Sequence, residues 1–168
     1  MGMDMQGSGG GAVMTPAMMR VIREQRLGFV ATVGADGTPN LSPKGTFAVV
    51  DSATVAFAEI RSPGTVRNLA ANPAVEINFV DPFARRGCRL SGTARIVRRG
   101  EAGFDGLLPL FAGHGNLVPR TRAVVVIAVA KALSLSSPAY DDGATEDELR
   151  RSWTGHFRAL QPGGRFSG

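Results

Sequence analysis

Apolar and polar positions along most of the chain alternate with the two-residue period of a half-buried β-strand. Turn-forming residues separate these runs, which predict six strands, at residues 28–33, 39–50, 54–60, 74–80, 88–97 and 122–135. Successive strands are joined by short connections, so most neighbours should be antiparallel. The pattern predicts a mainly β (α+β) protein whose six strands form a small barrel.

Four stretches have the spacing of an amphipathic helix instead. One follows Thr15, one follows Ser62, one spans residues 101–111, and one follows Thr145 in a capping-box pattern. Two of them lie at the ends of the strand series, one lies between the third and fourth strands, and one lies between the fifth and sixth. Strands and helices therefore do not alternate as a doubly wound sheet requires, and the helices should flank the sheet.

The helix after Ser62 has the most informative start. Ser62 is a favoured N-cap whose hydroxyl can accept a backbone N–H, and Gly64 and Thr65 then offer free N–H groups. Such a helix start attracts anions, phosphate above all, and Arg61 and Arg67 add positive charge beside it. These residues alone leave two interpretations open: a phosphate site, or a capped connector helix with solvated arginines.

The second predicted strand carries a polar face. Alternation places Asn40, Ser42, Lys44 and Thr46 on one side and Leu41, Pro43, Phe47 and Val49 on the other. Three polar side chains and one cation should therefore line up along this strand.

The length of 168 residues is enough for one domain with a substantial core. Residues 14–160 are expected to form that domain. Residues 1–13 and residues 161–168 are rich in glycine and are expected to be flexible tails.

The formal charge of +5 and the pI near 10.6 favour anionic partners. The basic residues are scattered in arginine pairs without interleaved aromatic side chains, so a nucleic-acid surface is not expected. The longest apolar run, residues 123–130, is far too short to cross a membrane. A phosphorylated small molecule is the expected partner.

Cys88 is the only cysteine, so no intrachain disulfide can form, and a buried position in a strand is expected for it. With no secretory segment in the sequence, a cytoplasmic location is expected. Cys88, His114 and His156 lack the spacing of metal ligands, so no metal site is predicted.

With these elements in order, residues 29–96 resemble the FMN-binding split-barrel family, which includes pyridoxamine 5'-phosphate oxidase. The resemblance is carried by residues 37–45, 55–60, 62–69, 72–77 and 92–94. It implies a six-stranded antiparallel split β-barrel with flanking helices. It also implies a homodimer with FMN at the interface, the phosphate being held near the helix start and by the second strand.

Carried over by position, the resemblance implies a cofactor site made of Ser42, Lys44, Arg61, Ser62, Gly64, Thr65 and Arg67. The oxidases have an Arg-Lys pair where this chain has Gly64 and Thr65. The chain also lacks their C-terminal Arg-Leu-His motif, so oxidation of pyridoxamine phosphate is not implied.

The expected function is an FMN-dependent oxidoreductase acting on an unidentified small molecule. Two alternatives stay open: a reductase of the same fold that uses the deazaflavin F420, and a flavin-binding or stress-related module without turnover. No catalytic acid or base is predicted, since neither histidine lies in a pattern that requires one.

Overall fold

The computed structural model describes residues 13–161, in which seven strands form one antiparallel sheet. They are β1 (Gly28–Val33), β2 (Pro39–Lys44), β3 (Phe47–Asp51), β4 (Thr54–Glu59), β5 (Ala74–Asp81), β6 (Arg86–Arg98) and β7 (Ala123–Ser136). Their order in the sheet is β2-β1-β5-β6-β7-β4-β3. The mainly antiparallel β architecture with flanking helices is as predicted.

The expected count of six strands is wrong, because the predicted strand 39–50 divides at Gly45 and Thr46. Its two parts, β2 and β3, lie at opposite ends of the sheet. Polar and apolar residues alternate across the break in the sequence, but the burial of the side chains does not alternate there. Thr46 and Phe47 are both buried, and the Thr46 hydroxyl donates to the carbonyl of Ala58 at 2.6 Å.

The sheet curls around the larger of two hydrophobic clusters. The ring of Phe47, on the end strand β3, packs at 4.7 Å from the ring of Phe79 on β5, and its edge also closes over Gly28 on β1. These strands are far apart in the sheet order, so only a strongly curled sheet brings them together. The end strands β2 and β3 do not pair with each other in the described residues, so the sheet is not a closed barrel.

In the described part of the chain four α-helices accompany the sheet: α1 (Pro16–Gln25), α2 (Pro63–Ala71), α3 (Phe104–Leu107) and α4 (Glu146–Ala159). Helix α1 begins at a Thr15 cap, as predicted, and its Met18 and Ile22 fill the core. Helix α2 begins directly after Ser62, as predicted, and buries Thr65 and Leu69.

The predicted helix over residues 101–111 is largely absent. Only α3 is α-helical, and a 3-10 segment over Leu108–Arg120 follows it, with non-helical backbone at Gly115. Glycines and Pro109 interrupt the helical pattern. The apolar residues still pack: Phe104 and Phe111 are buried against the outer side of β4 and β7.

Helix α4 lies at the periphery and contributes no buried residue. The predicted capping box is present, with Thr145 and Glu148 bonded reciprocally. Arg150 donates to the Asp81 carboxylate at 2.8 Å, and the Arg85 guanidinium stacks 4.2 Å from the Trp153 ring. Polar contacts and stacking therefore hold this helix to the β5–β6 turn.

The predicted tails fall almost entirely outside the described residues. Val13 is described, and its N–H donates to the carbonyl of Ser52 at 3.2 Å. Within residues 13–161 no helix is long and apolar enough to cross a membrane.

Candidate functional site

The start of α2 differs from the prediction in one respect. Ser62 is the N-cap residue, but its hydroxyl makes no capping bond to the helix. Instead both the backbone N–H and the hydroxyl of Ser62 donate to Oε1 of Glu59, the last residue of β4. Glu59 is buried, at 4% exposure, so its charge needs these donors. The serine thus satisfies a buried carboxylate and is not a free donor.

The next two donors remain available. The N–H groups of Gly64 and Thr65 have no hydrogen-bond partner among the described residues, as the first turn of a helix leaves them. A Cβ built on Gly64 would meet only an Nη atom of Arg67, at 3.9 Å. The Arg67 guanidinium therefore folds back toward the helix start and adds positive charge beside the two N–H groups.

A cavity of about 250 Å³ opens between the end of β2, the end of β4 and the start of α2. It is lined by Ser42, Pro43, Lys44, Gly45, Thr46, Ala58, Ile60, Arg61 and Ser62. Four of the residues predicted for the cofactor site therefore share one cavity. Gly64, Thr65 and Arg67 do not line it, but they follow Ser62 on the same helix start, and the Thr65 side chain is buried at 2% exposure.

Lys44 is the unusual residue of this cavity, because its side chain is only 8% exposed. Burial lowers the pKa of Lys44, and the nearby negative charge of Glu59 raises it only in part. The Nζ atom donates to the hydroxyl of Ser42. The Lys44 ammonium is largely desolvated and donates to a hydroxyl. A bound anion would therefore stabilise it.

The donor set fits a phosphate group. Within residues 13–161 neither Lys44, Arg61 nor Arg67 forms an ion pair with a carboxylate. The free backbone N–H groups of α2 supply further donors without further desolvated charge. The carboxylate of Glu59 lies close to Lys44, and Ser62 already occupies one of its oxygens.

A polar network that sequence reasoning missed joins α2 to the sheet. The buried hydroxyl of Thr32 accepts from the side-chain amide of Asn40 at 3.2 Å and from that of Asn68 at 3.1 Å. One residue from β1, one from β2 and one from α2 meet there. The one available signal was Asn40 on the polar face of its strand; nothing marked Asn68 as inward-facing.

Cys88 is fully buried, as predicted, and burial raises the pKa of its thiol to about 11. Such a thiol stays protonated and unreactive at neutral pH. His114 lies near Phe111, and His156 packs edge-to-face against Trp153 on α4. Neither histidine lines the cavity at the start of α2.

Fold and cavity together define a class: antiparallel β proteins with a curled sheet and one short inserted helix whose start builds an anion-accepting site. Within this class the chain belongs to the pyridoxamine 5'-phosphate oxidase family, whose sequence profile matches residues 14–135. The resemblance predicted from the sequence is thereby confirmed.

Solved structures have the same fold. HupZ of Group A Streptococcus is 33% identical, the match covering 74% of this chain and 95% of that one, with a TM-score of 0.65. An FMN-binding protein from Syntrophomonas wolfei is 15% identical over 71% of this chain and 84% of its own, with a TM-score of 0.59. An F420 reductase is 21% identical, the match covering 71% of this chain and 98% of that one, with a TM-score of 0.56. The last two likenesses show the fold alone. Among curated proteins no match is found.

Proposed function

We propose that the chain is a flavoprotein that binds FMN at the start of α2 and acts as an oxidoreductase on a small molecule. The observation that carries the proposal is the convergence of Lys44 and Arg61 on one cavity beside the free N–H groups of α2. A buried lysine without a carboxylate partner is costly unless it serves a ligand. Membership of the oxidase family and the FMN-binding neighbour support the choice of ligand.

The phosphate of FMN would be held by the N–H groups of Gly64 and Thr65, with Arg61 and Arg67 on the solvent side and Lys44 on the buried side. The cofactor, when bound, supplies hydride acceptance and reoxidation. The protein residues orient it and neutralise its charge. Ser62 serves indirectly: its N–H and hydroxyl satisfy the buried carboxylate of Glu59 at the same helix start.

We further propose a homodimer with the cofactor at the subunit interface. Apolar side chains are exposed on the outer side of the sheet near the cavity, with Leu41 at 65% and Phe29 at 39% exposure. These residues lie on β2 and β1, and Pro43 lines the cavity on the same strand. An apolar surface of this kind is typical of an interface. A second copy placed here would lie next to the cofactor.

F420 is the second candidate cofactor. The F420 reductase neighbour has the same fold, and the excess of positive charge on this chain suits the acidic tail of F420. A flavin-binding module without turnover is the third possibility. It requires the same phosphate contacts but no substrate space beside the ring.

The absorption spectrum of the purified protein tests the proposal, followed by chromatography of the released chromophore. Bands of an oxidised flavin and release of FMN are the expected result. A deazaflavin spectrum would show that the cofactor is F420 and not FMN. A colourless protein that binds neither compound in titrations contradicts the proposed function. Reduction of the bound cofactor by NADPH or NADH, followed by reoxidation, separates an enzyme from a storage module.

A further inference from the structure

A second cleft, of about 270 Å³, lies beside the end strand β3. The C-terminal end of α1 forms one wall and the 3-10 segment after α3 forms the other. The cleft is lined by Arg23, Arg26, Phe47, Ala48, Val49, Leu110, Gly113 and His114. We call it the β3 cleft.

The charged groups of the β3 cleft are basic. These charged groups are Arg23 and Arg26 from α1; no Asp or Glu lines the cleft. In the described part of the chain neither arginine forms an ion pair with a carboxylate. Glu24, the carboxylate next to Arg23 in sequence, pairs instead with Arg20 at 3.9 Å. The cleft therefore carries uncompensated positive charge.

Arg26 adopts a backbone conformation that is unfavourable for any residue with a Cβ atom. Its φ of 59° and ψ of −26° place it in the left-handed region at the end of α1, where glycine is the preferred residue. Basic residues at a helix C-terminus offset the helix dipole. The Arg26 N–H donates to the carbonyl of Ile22 at 3.1 Å and so caps α1, a backbone bond that glycine would also make. Arg23 in the last turn already offsets the dipole, and the Arg26 side chain forms no ion pair within residues 13–161.

The rest of the cleft is apolar. Val49 is half-buried, and Leu110, in the 3-10 segment after α3, is 37% exposed. The edge of Phe47 adds an aromatic surface at the bottom. Positive charge at the rim and an apolar wall suit a ligand that has both an acidic group and an apolar body.

We propose that the β3 cleft binds a small organic anion with an apolar or aromatic body, held by Arg26 and Arg23 at its acidic group and by Leu110 and Val49 along its body. The cleft and the cavity described above share no lining residue, but Thr46 lines that cavity and Phe47, the next residue, lines the cleft. That such an anion is the molecule on which the cofactor acts rests on the proposed function; its binding to the cleft does not.

The test uses 8-anilinonaphthalene-1-sulfonate, an aromatic sulfonate, in isothermal titrations of the full-length protein. Arg26→Gly and Arg23→Ala each remove a guanidinium, and each should weaken binding about tenfold. Arg26→Gly also relieves the left-handed strain, so its melting temperature should equal or exceed that of the wild type. Arg20→Ala, on the same helix but outside the cleft, is the matched control and should keep wild-type affinity.

The neutral analogue N-phenyl-1-naphthylamine should bind the wild type and Arg26→Gly equally, because it lacks the acidic group. Unchanged sulfonate affinity in both cleft variants would overturn the inference, and so would an equal loss in Arg20→Ala. Full displacement of the sulfonate by FMN would overturn it as well, by placing the cleft within the cofactor site. Arginine-dependent sulfonate binding in a protein that fails to bind FMN supports the cleft and defeats only the proposed function.

Discussion

Ser62 and Glu59 form a closed unit at the junction of β4 and α2. The hydroxyl of Ser62 lies 3.3 Å from Oε1 of Glu59, and the backbone N–H of Ser62 donates to the same oxygen. The N-cap residue of α2 is thus hydrogen-bonded to the last residue of β4. This contact fixes the direction in which α2 leaves the sheet, and with it the positions of the N–H groups of Gly64 and Thr65.

Glu59→Ala should therefore destabilise the protein without cofactor by about 1–3 kcal/mol, because it leaves the Ser62 donors unpaired in a largely buried place. Glu59→Gln keeps an acceptor of the same shape and should cost about 1 kcal/mol or less. Urea unfolding of both variants measures the difference. Equal losses in the two would show that the charge of Glu59, rather than its hydrogen bonds, holds the junction together.

The buried position of Lys44 gives the cofactor site a pH dependence. Its lowered pKa means that Lys44 loses its proton below the ordinary value of 10.5 as the pH rises. The protonated form attracts phosphate, so FMN affinity should fall as the pH rises through this lowered pKa. Lys44→Arg should keep its affinity over the same range, because arginine stays charged.

Lys44→Gln should bind FMN weakly at every pH, and its FMN affinity should not fall further at alkaline pH, because the variant has no lysine to deprotonate at this position. Titrations of the three proteins at matched pH values cancel any titration of FMN itself. An alkaline fall of the same size in Lys44→Arg would exclude Lys44 as its source.

Arg61→Ala should weaken FMN binding by about 1.5 kcal/mol, near the lower end for a charge-assisted contact because Arg61 is exposed. Arg98→Ala is the matched control: Arg98 is also exposed and pairs with Glu101 at 3.6 Å, away from the cavity. Its effect should stay below about 0.3 kcal/mol. Equal losses in both variants would indicate attraction by net charge alone.

Much of this fold could be predicted from the sequence because its signals are local. The Thr15 and Thr145 caps and the proline-bounded helix α2 are each encoded within a few residues. The division of residues 39–50 could not be predicted. Both halves of that stretch alternate in phase, and only long-range pairing with β1 and β4 sends them to opposite ends of the sheet.

The candidate site shows the same limit. The sequence indicated that Lys44 and Arg61 belong together through the family resemblance, and the structure places both on one cavity. It did not indicate that Glu59 would take the Ser62 donors, since a capping serine looks the same whichever way its hydroxyl turns. The Thr32 network was missed for a similar reason: each of its members is an ordinary polar residue until the fold brings them together.

Leu41→Asp should convert the proposed dimer into a monomer. Leu41 is 65% exposed on the outer side of β2, and a charge there would have to be desolvated in an interface. Leu160→Asp is the matched control, because Leu160 is similarly exposed, at 62%, but lies beyond the end of α4. Light scattering at micromolar concentration gives the masses. A wild-type protein that is already monomeric with FMN bound would contradict the dimer itself.

Gly64→Ala examines the α2 start most directly. A Cβ at this position would meet only Arg67, at the ordinary contact distance of 3.9 Å, so the protein without cofactor has room for it. Alanine is a better helix residue than glycine, so apo stability should stay unchanged or rise by up to about 1 kcal/mol. The new methyl group would occupy space that a phosphate bound to the Gly64 N–H needs.

FMN affinity should then fall roughly tenfold in Gly64→Ala while the melting temperature of the apo protein does not fall. The two measurements together separate a binding effect from a folding effect, because no loss of stability accompanies the loss of affinity. Fluorescence titration with FMN and thermal unfolding of the same preparation provide them. Wild-type affinity in this variant would place the phosphate away from Gly64, and Lys44 with Arg61 would then have to bind it without the helix.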